Sequence, residues 1–322
     1  MIAGLLRSTA SAMLMALLSV SAHAQDICKT GASPINPVVA RAGRSGEGGS
    51  GGIGGTGVTA RSEGDPTGGI GGTGVVARSN EPTGGIGGTG IVGVITGFAS
   101  ICVGGMEVQF DTETPVSDNG QPASAHELAV GQVVAVRAAG SGNNLRALSI
   151  AVLHALVGPI EAIDASAGTL RVLGERVKVL NPSALAALRR GDWVRLSGHR
   201  QADGVLSASL IAALPPSARR QAQIAGRVSV LTSDAMQVGG TRVAFNARAT
   251  AHGVAKGHEV LVVGRWDGKT LIAQRVTLDP TRNHLGPVRD VVLEGYVQDL
   301  GGGTLSLGQG SLQLDPRASV VG

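Results

Sequence analysis

The chain has 322 residues and a formal net charge of +4, from 27 lysines and arginines against 23 aspartates and glutamates. The charges are interspersed rather than gathered into one stripe, which argues against a basic patch that would bind nucleic acid or an anionic membrane. After residue 24, no apolar run approaches the roughly 20 residues that a membrane helix needs. The sequence therefore predicts no integral membrane span.

Residues 1–24 have the pattern of a cleavable signal peptide. Arg7 supplies the positive charge, residues 10–20 form an apolar core, and residues 21–24 end in the Ala-x-Ala pattern of a cleavage site. We expect cleavage after Ala24. The residues just before Cys28 are Gln-Asp-Ile rather than the small residues of a lipoprotein signal, so we expect a periplasmic or secreted protein and not a lipid-anchored one.

Residues 25–90 form a glycine-rich, low-complexity leader. The sequence Gly-Gly-Ile-Gly-Gly-Thr-Gly followed by Val or Ile occurs at residues 51–58, 68–75 and 84–91. So few apolar side chains cannot offset the entropy of ordering so many glycines, which predicts a disordered tether. Each copy contains Gly-x-Gly-x-x-Gly, but no helical pattern follows to hold a pyrophosphate, so we predict no nucleotide cofactor.

The only two cysteines are Cys28, ahead of the repeats, and Cys102, inside the first folded module. Two cysteines in an oxidising compartment usually pair, so we predict a disulfide that pins the start of the leader to that module. The alternative is two separate thiols, buried or free. Neither cysteine has the neighbours that a zinc or redox site requires, and we predict no metal.

A second repeat, with a period of 65 to 69 residues, fixes the fold class. Each copy opens at a glycine, continues with a hairpin of period-two apolar residues, and closes with two further strands after a Leu/Val-x-x-Gly turn. Five short strands in roughly 60 residues predict an all-β fold of tandem five-stranded OB-like barrels, with sandwiches as the alternative. The opening glycines are Gly93, Gly158, Gly226 and Gly295.

The repeat gives three complete modules and one half repeat. We assign module 1 to residues 91–155, module 2 to 156–216, module 3 to 222–280, and a half module, with its first hairpin only, to 290–322. Half a barrel cannot close alone. We expect it to pack on the third barrel, to pair with another chain, or to belong to a truncated reading frame, and the sequence does not choose among these.

Residues 87–112, Gly-Gly-Thr-Gly-Ile-Val-Gly-Val-Ile-Thr-Gly-Phe-Ala-Ser-Ile-Cys-Val-Gly-Gly-Met-Glu-Val-Gln-Phe-Asp-Thr, resemble the start of the bacterial domain of unknown function 5666 family. The later Leu-Ala-Val-Gly-Gln-Val-Val-Ala-Val at 128–136 and Leu-x-Ala-x-x-Ile at 145–150 are also similar to it, and weaker copies follow at 156–214 and 223–279. The resemblance implies an exported or lipid-anchored protein with such domains in tandem, often behind a glycine-rich leader. It brings no known activity or catalytic residues.

The sequence contains no motif for catalysis in the structural context that the motif requires. Residues 268–270, Gly-Lys-Thr, lie in a turn between two predicted strands and lack the first glycine of a phosphate-binding loop. No Gly-x-Ser-x-Gly motif occurs. The histidines of the mature chain are scattered, and we expect most of them to be solvated loop residues; His252 and His258, beside Glu259, are the nearest to a metal pair. We predict no catalytic residues and no enzymatic activity.

The aromatic residues are too few to line a groove for nucleic acid or sugar. Phe110 and Phe245 fall in core columns and are expected to pack inside their barrels. Trp193 precedes an inward-facing valine, so it should face outward, and Trp266 lies by a turn. We predict these two tryptophans as exposed contact residues.

Tandem modules without a catalytic constellation favour a non-enzymatic binding or structural protein of the cell envelope. In this hypothesis a rigid string of barrels on a glycine tether binds an envelope protein or polymer. One alternative is an enzyme site assembled between modules. The other is binding of an anionic polymer or nucleic acid through the OB-like barrels and the leader arginines Arg41, Arg44, Arg61 and Arg78, with an affinity that falls steeply with salt.

Overall fold

The computed structural model describes residue 28 and residues 38–41, 75–78, 88–98, 100–141, 144–218, 221–246, 252–308 and 310–314. The predicted signal peptide and the first two glycine repeats therefore lie outside the described residues, apart from Val75 at the end of the second copy. The described leader contains two short strands, β1 (Val38–Arg41) and β2 (Val75–Arg78). No helix in these ranges is long and apolar enough to cross a membrane.

The rest of the described chain is built almost wholly of strands. Module 1 contains β3 (Thr89–Phe98), β4 (Ile101–Val103), β5 (Met106–Gln109), β6 (Val116–Asp118), β7 (Gln121–Ala123), a 3-10 helix (Ala125–Glu127), β8 (Val133–Ser141) and β9 (Asn144–Leu153). Module 2 contains β10 (Leu156–Asp164), β11 (Thr169–Val172), β12 (Glu175–Val179), a 3-10 helix (Pro182–Ala187), β13 (Trp193–Arg200) and β14 (Leu206–Ala213).

After a 3-10 turn (Pro216–Ala218), module 3 contains β15 (Ala222–Leu231), β16 (Ala235–Val238), β17 (Thr241–Ala244), β18 (Glu259–Trp266) and β19 (Leu271–Leu278). A short helix α1 (Pro280–Leu285) then leads to β20 (Asp290–Leu293), β21 (Val297–Gly301), β22 (Thr304–Leu307) and β23 (Gly310–Gln313).

Each complete module closes through the same cycle of strand pairs. The first barrel strand pairs with the second and the fourth, and the second pairs with the third. The third pairs in parallel with the fifth, and the fifth pairs with the fourth, which closes the cycle. The strands form because their apolar residues alternate. In β12, for example, buried and exposed residues alternate, so one face of the strand packs in the core of the barrel. The predicted all-β fold of OB-like barrels is confirmed.

The modules form a compact cluster and not the linear string that we expected. Strands β10 and β15 pair, which joins the sheets of modules 2 and 3. Module 2 contacts module 1 through the Ser209 hydroxyl, which donates a buried 2.6 Å hydrogen bond to the carbonyl of Gly131. Module 1 contacts module 3 where the Asn119 amide donates to Gln223 Oε1 at 2.6 Å. All three pairs of modules are therefore in direct contact.

The half module lies against module 1. Strand β20 adds in parallel to β3, and β21, β22 and β23 form an antiparallel meander in place of the single hairpin that we expected. Leu305 and Leu307 of β22 are buried with Val92 and Ala135 of module 1. The half module thus docks within the chain, on the first barrel and not on the third, through the pairing of β20 with β3 and the burial of β22.

The described pieces of the leader are attached to the modules. Cys28 and Cys102 form the predicted disulfide, with their Cα atoms 5.4 Å apart and 74 positions between them in sequence. Strand β1 pairs in parallel with β14 of module 2, and β2 pairs antiparallel with β20. The disulfide attachment was predicted, whereas the interpretation as a tether did not anticipate the pairing of β1 with module 2 or of β2 with the half module.

Candidate functional site

A cleft of about 500 Å³ lies where the three modules meet, and we call it the junction cleft. The volume is in the range of small-molecule sites. Module 1 contributes the β6–β7 hairpin, module 2 contributes β13, and module 3 contributes β15 and β19. Its polar lining residues are Asp118, Asn119, Gln121, Glu127, His154, Arg195, Gln221, Gln223 and Arg275.

Asp118 is the charged centre of the junction cleft. It ends β6, and the turn that follows runs through Asn119 and Gly120, both with positive φ, a conformation that asparagine and glycine tolerate best. One carboxylate oxygen accepts a 2.6 Å hydrogen bond from Arg195 of module 2, and the other lies 2.9 Å from His154 Nε2. Burial alone would raise the pKa of Asp118, but His154 and Arg195 hold that pKa below its usual value.

His154 lies between β9 and β10, and its side chain is only 3% exposed. Burial lowers the pKa of His154, although the Asp118 carboxylate opposes this effect, so the imidazole is neutral at pH 7. Its Nδ1 lies 3.2 Å from the hydroxyl of Ser197. With Nε2 protonated toward Asp118, Nδ1 is the acceptor for that hydroxyl.

Ser197, His154 and Asp118 thus lie in the order of a catalytic triad, the arrangement in which histidine activates a serine nucleophile. Here the serine is 1% exposed and lies within β13, opposite Leu210 of β14. A substrate carbonyl cannot reach its hydroxyl, and Arg195 already neutralises the aspartate. The arrangement therefore works as a polar clamp between modules 1 and 2 and offers no accessible nucleophile.

This clamp was not predicted from the sequence. We expected most histidines to be solvated, yet His154 and His199 are buried. Only two residues, His154 and Ala155, separate β9 from β10, and a link this short between two barrels has no room to reach solvent. The short spacing between tandem modules was the signal that could have identified a buried linker. His252 and His258 are exposed, and the described residues hold no cluster of three metal-ligating side chains.

A second cavity, of about 60 Å³, adjoins the junction cleft, because Asn119 and His154 line both. Burial raises the pKa of Glu259 to about 7, although Thr281 donates hydrogen bonds to its carboxylate from both Oγ1, at 2.7 Å, and the backbone N–H. Burial also lowers the pKa of His199 to about 4. This cavity is therefore small and weakly charged, and the junction cleft is the better binding site.

A buried ion pair of module 2 lies at the contact with module 3. Arg200 Nη1 lies 2.6 Å from a carboxylate oxygen of Glu175, and the two side chains are 9% and 2% exposed. The other Glu175 oxygen accepts from the backbone N–H of Gly240 at 2.6 Å and from the hydroxyl of Thr241 at 3.3 Å, both in module 3. Arg200 also donates to the carbonyl of Ala225. The ion pair is internal to module 2, and its hydrogen bonds to Ala225, Gly240 and Thr241 hold the two barrels together.

The structure corrects the exposure predicted for Trp193 and Trp266. Both are half-buried and pack against the core of modules 2 and 3. Trp193 begins β13 and Trp266 ends β18, so each indole lies at an end of its barrel, where it reaches core side chains. Their role as contact residues stays a prediction. Phe110 and Phe245, which we expected to pack inside their barrels, do contact the cores. The side chains of the leader arginines lie outside the described residues.

A family model described as domain of unknown function (DUF5666) matches residues 89–151 and 157–212. These two segments coincide with the strands of modules 1 and 2. Module 3 lies outside the matched segments but has the same cycle of strand pairs. No curated protein and no solved structure matches the chain.

Proposed function

We propose that this chain, whose modules 1 and 2 match the DUF5666 family model, is a non-enzymatic binding protein of the cell envelope. Its ligand binds in the junction cleft. The observation that carries this proposal is the composition of the cleft wall, in which three barrels contribute amide and charged side chains around one opening of about 500 Å³.

The lining residues indicate the chemistry of the ligand. Asp118 and Arg195 largely neutralise each other, while Gln121 and Arg275 are exposed and hold donors and acceptors toward solvent. No aromatic residue lines the described wall, so recognition depends on hydrogen bonds rather than stacking. Glu127 and Arg275 add one charge of each sign, so these features fit a polar segment of an envelope polymer without net charge.

The burial of Ser197 argues against hydrolysis by a Ser197–His154 pair. Ser197 is the hydroxyl that the histidine would activate, and it is buried beneath the cleft surface. Export is supported by the signal-like N-terminus and by the Cys28–Cys102 disulfide, which would persist in an oxidising compartment.

Co-sedimentation with isolated, protein-free cell-wall sacculi tests the proposal. The chain from residue 25 is compared with Arg275→Ala and Gln121→Ala, which change exposed lining residues, and with Arg176→Ala, an exposed residue of β12 that does not line the cleft. We expect the wild type and Arg176→Ala to sediment with the sacculi and the two cleft variants to bind several-fold less.

Two results would contradict the proposal. Equal sedimentation of all four proteins, or of none, would remove the junction cleft as the binding site for this polymer. Release of soluble wall fragments by the wild type would show an enzyme instead.

A further inference from the structure

In modules 1 and 2, a short added strand covers the second half of the fifth barrel strand. In module 1 this strand is β6, which pairs in parallel with β9 and places Val116 beside Ile150. In module 2 it is the leader strand β1, which pairs in parallel with β14 and places Val39 beside Ile211. The two positions are equivalent, because Ile150 and Ile211 each face the same position of the fourth strand.

The equivalent edge of module 3 is open in the part of the chain that the structure describes. Val276 of β19 corresponds to Ile211, since it faces Val262 as Ile211 faces Leu196. On the side of β17, the described pairing of β19 stops at Ile272. Ile211 is fully buried, whereas Val276 is only half-buried. A strand edge of this kind is a template for another strand.

The leader sequence contains the complementary segments. β1 and β2 are both Val-Val-Ala-Arg, at residues 38–41 and 75–78, and a third copy, Val-Thr-Ala-Arg, occurs at residues 58–61, outside the described residues. Two copies of the glycine repeat lead directly into strands: β2 begins at Val75 after Gly74, and β3 begins within the third copy. Residues 58–61 follow the first copy in the same way.

We propose that residues 58–61 bind the open edge of β19 as a parallel strand of the same chain. The pairing of β1 with β14 sets the register, in which Ala40 lies beside Ala212, so Ala60 would lie beside Thr277. Residues 42–57 and 62–74 are the connections to β1 and β2. At about 3.5 Å per residue they reach about 55 and 45 Å, well beyond the roughly 10 Å radius of gyration of a 60-residue barrel.

Cysteine cross-linking of the full mature chain tests this assignment, because the described native cysteines are both in the disulfide. The variant Ala60→Cys with Thr277→Cys is treated with a short thiol-specific cross-linker. The matched control combines Ala60→Cys with Ala212→Cys, the same position of module 2, which β1 covers. We expect an intramolecular link between 60 and 277, at least several-fold more abundant than the link between 60 and 212.

Hydrogen exchange gives a second measurement that does not need engineered cysteines. Thr59→Pro removes a backbone donor and should abolish strand pairing. We expect faster exchange of the β19 amides from 274 to 278 in this variant and no change at β14, whereas Val39→Pro should affect β14 and spare β19. Equal cross-linking of both pairs, links only between chains, or unchanged exchange at β19 would overturn the proposal. None of these readouts depends on the ligand of the junction cleft.

Discussion

Glutamate side chains accept backbone hydrogen bonds from the turns between barrel strands, and the buried Glu175 does so across a module boundary. Glu161 accepts from the N–H of Gly174 within module 2, at 3.0 Å, whereas Glu175 makes the same contact with Gly240 across the boundary to module 3. Space for the second contact depends on Gly239, where a Cβ would lie 2.3 Å from the Glu175 carboxylate and where φ is +56°. Glycine is therefore needed at position 239 for two reasons: the backbone has a positive φ, and a side chain there would collide with the Glu175 carboxylate.

Glu175→Ala should destabilise the chain strongly. The change leaves the Arg200 guanidinium buried without its partner and removes the acceptor for the N–H of Gly240, which together cost about 3–5 kcal/mol. Asp234→Ala is the matched control, because its 3.6 Å ion pair with Arg242 is exposed at both ends and solvent screening leaves it little effect on stability. Urea unfolding measures both free energies, and similar losses in the two variants would contradict the argument.

At the scale of elements, the half module is held to module 1 by Glu294, which follows β20. Its carboxylate accepts from the N–H of Val94 at 2.9 Å and from the N–H of Gly104, and a Cβ on Gly93 would lie 2.5 Å from it. Burial outweighs these bonds and raises the pKa of Glu294 from its ordinary 4.5 to about 7. Docking of the half module therefore stabilises the protonated form of the Glu294 carboxyl.

This docking predicts a stability that falls with rising pH. The folded state holds the proton of Glu294 more tightly than the unfolded state does. The stability that the protonated Glu294 contributes is therefore fully present below about pH 4.5 and is lost as the pH rises through about 7. The loss is on the order of 3 kcal/mol, and Glu259, whose pKa burial also raises to about 7, acts in the same direction. The buried His154 and His199, whose pKa values burial lowers, act in the opposite direction, so the contribution of Glu294 is the difference between the wild type and a variant without this carboxylate. Urea unfolding at pH 5 and pH 8 measures the difference.

Glu294→Gln mimics the protonated acid and should remove part of this pH dependence. The exposed Glu113→Gln should leave it unchanged. A Glu294→Gln variant with the full wild-type slope would show that the half module is not held in this way. The slope of the wild type alone does not test it, because the buried His154 and His199 act in the opposite direction in both proteins.

The sequence predicts the strands within a barrel and misses those that arrive from elsewhere. Alternation of apolar residues, as in β12, reports one buried face, and the equivalent apolar pairs identify the hairpins. The same pattern says nothing about which segment covers an edge, because edge pairing uses backbone groups that every residue has. The leader strands β1 and β2 and the addition of β20 to module 1 were missed for this reason.

At the scale of the whole molecule, the junction cleft exists only because three barrels touch one another. The sequence predicted three modules but not their cluster, since contacts such as Ser209 to Gly131 join residues 78 positions apart in sequence. The cleft residues Asp118, Arg195 and Arg275 come from three different modules, and no local spacing relates them. The position of a site between repeats follows from the docking of the repeats and cannot be obtained from one repeat alone.

Asp118→Ala should weaken the coupling of module 1 to module 2. The variant removes the partner of Arg195 and the carboxylate beside His154, and loss of charged hydrogen bonds of this kind costs about 2 kcal/mol. We expect a single calorimetric transition for the wild-type chain and a separate, earlier transition in the variant. Asp111→Ala is the control, since the Asp111–Arg146 ion pair is exposed and lies within module 1. Separate transitions in the wild type would mean that the barrels unfold independently, and then the cleft between them could not keep a fixed shape for its ligand.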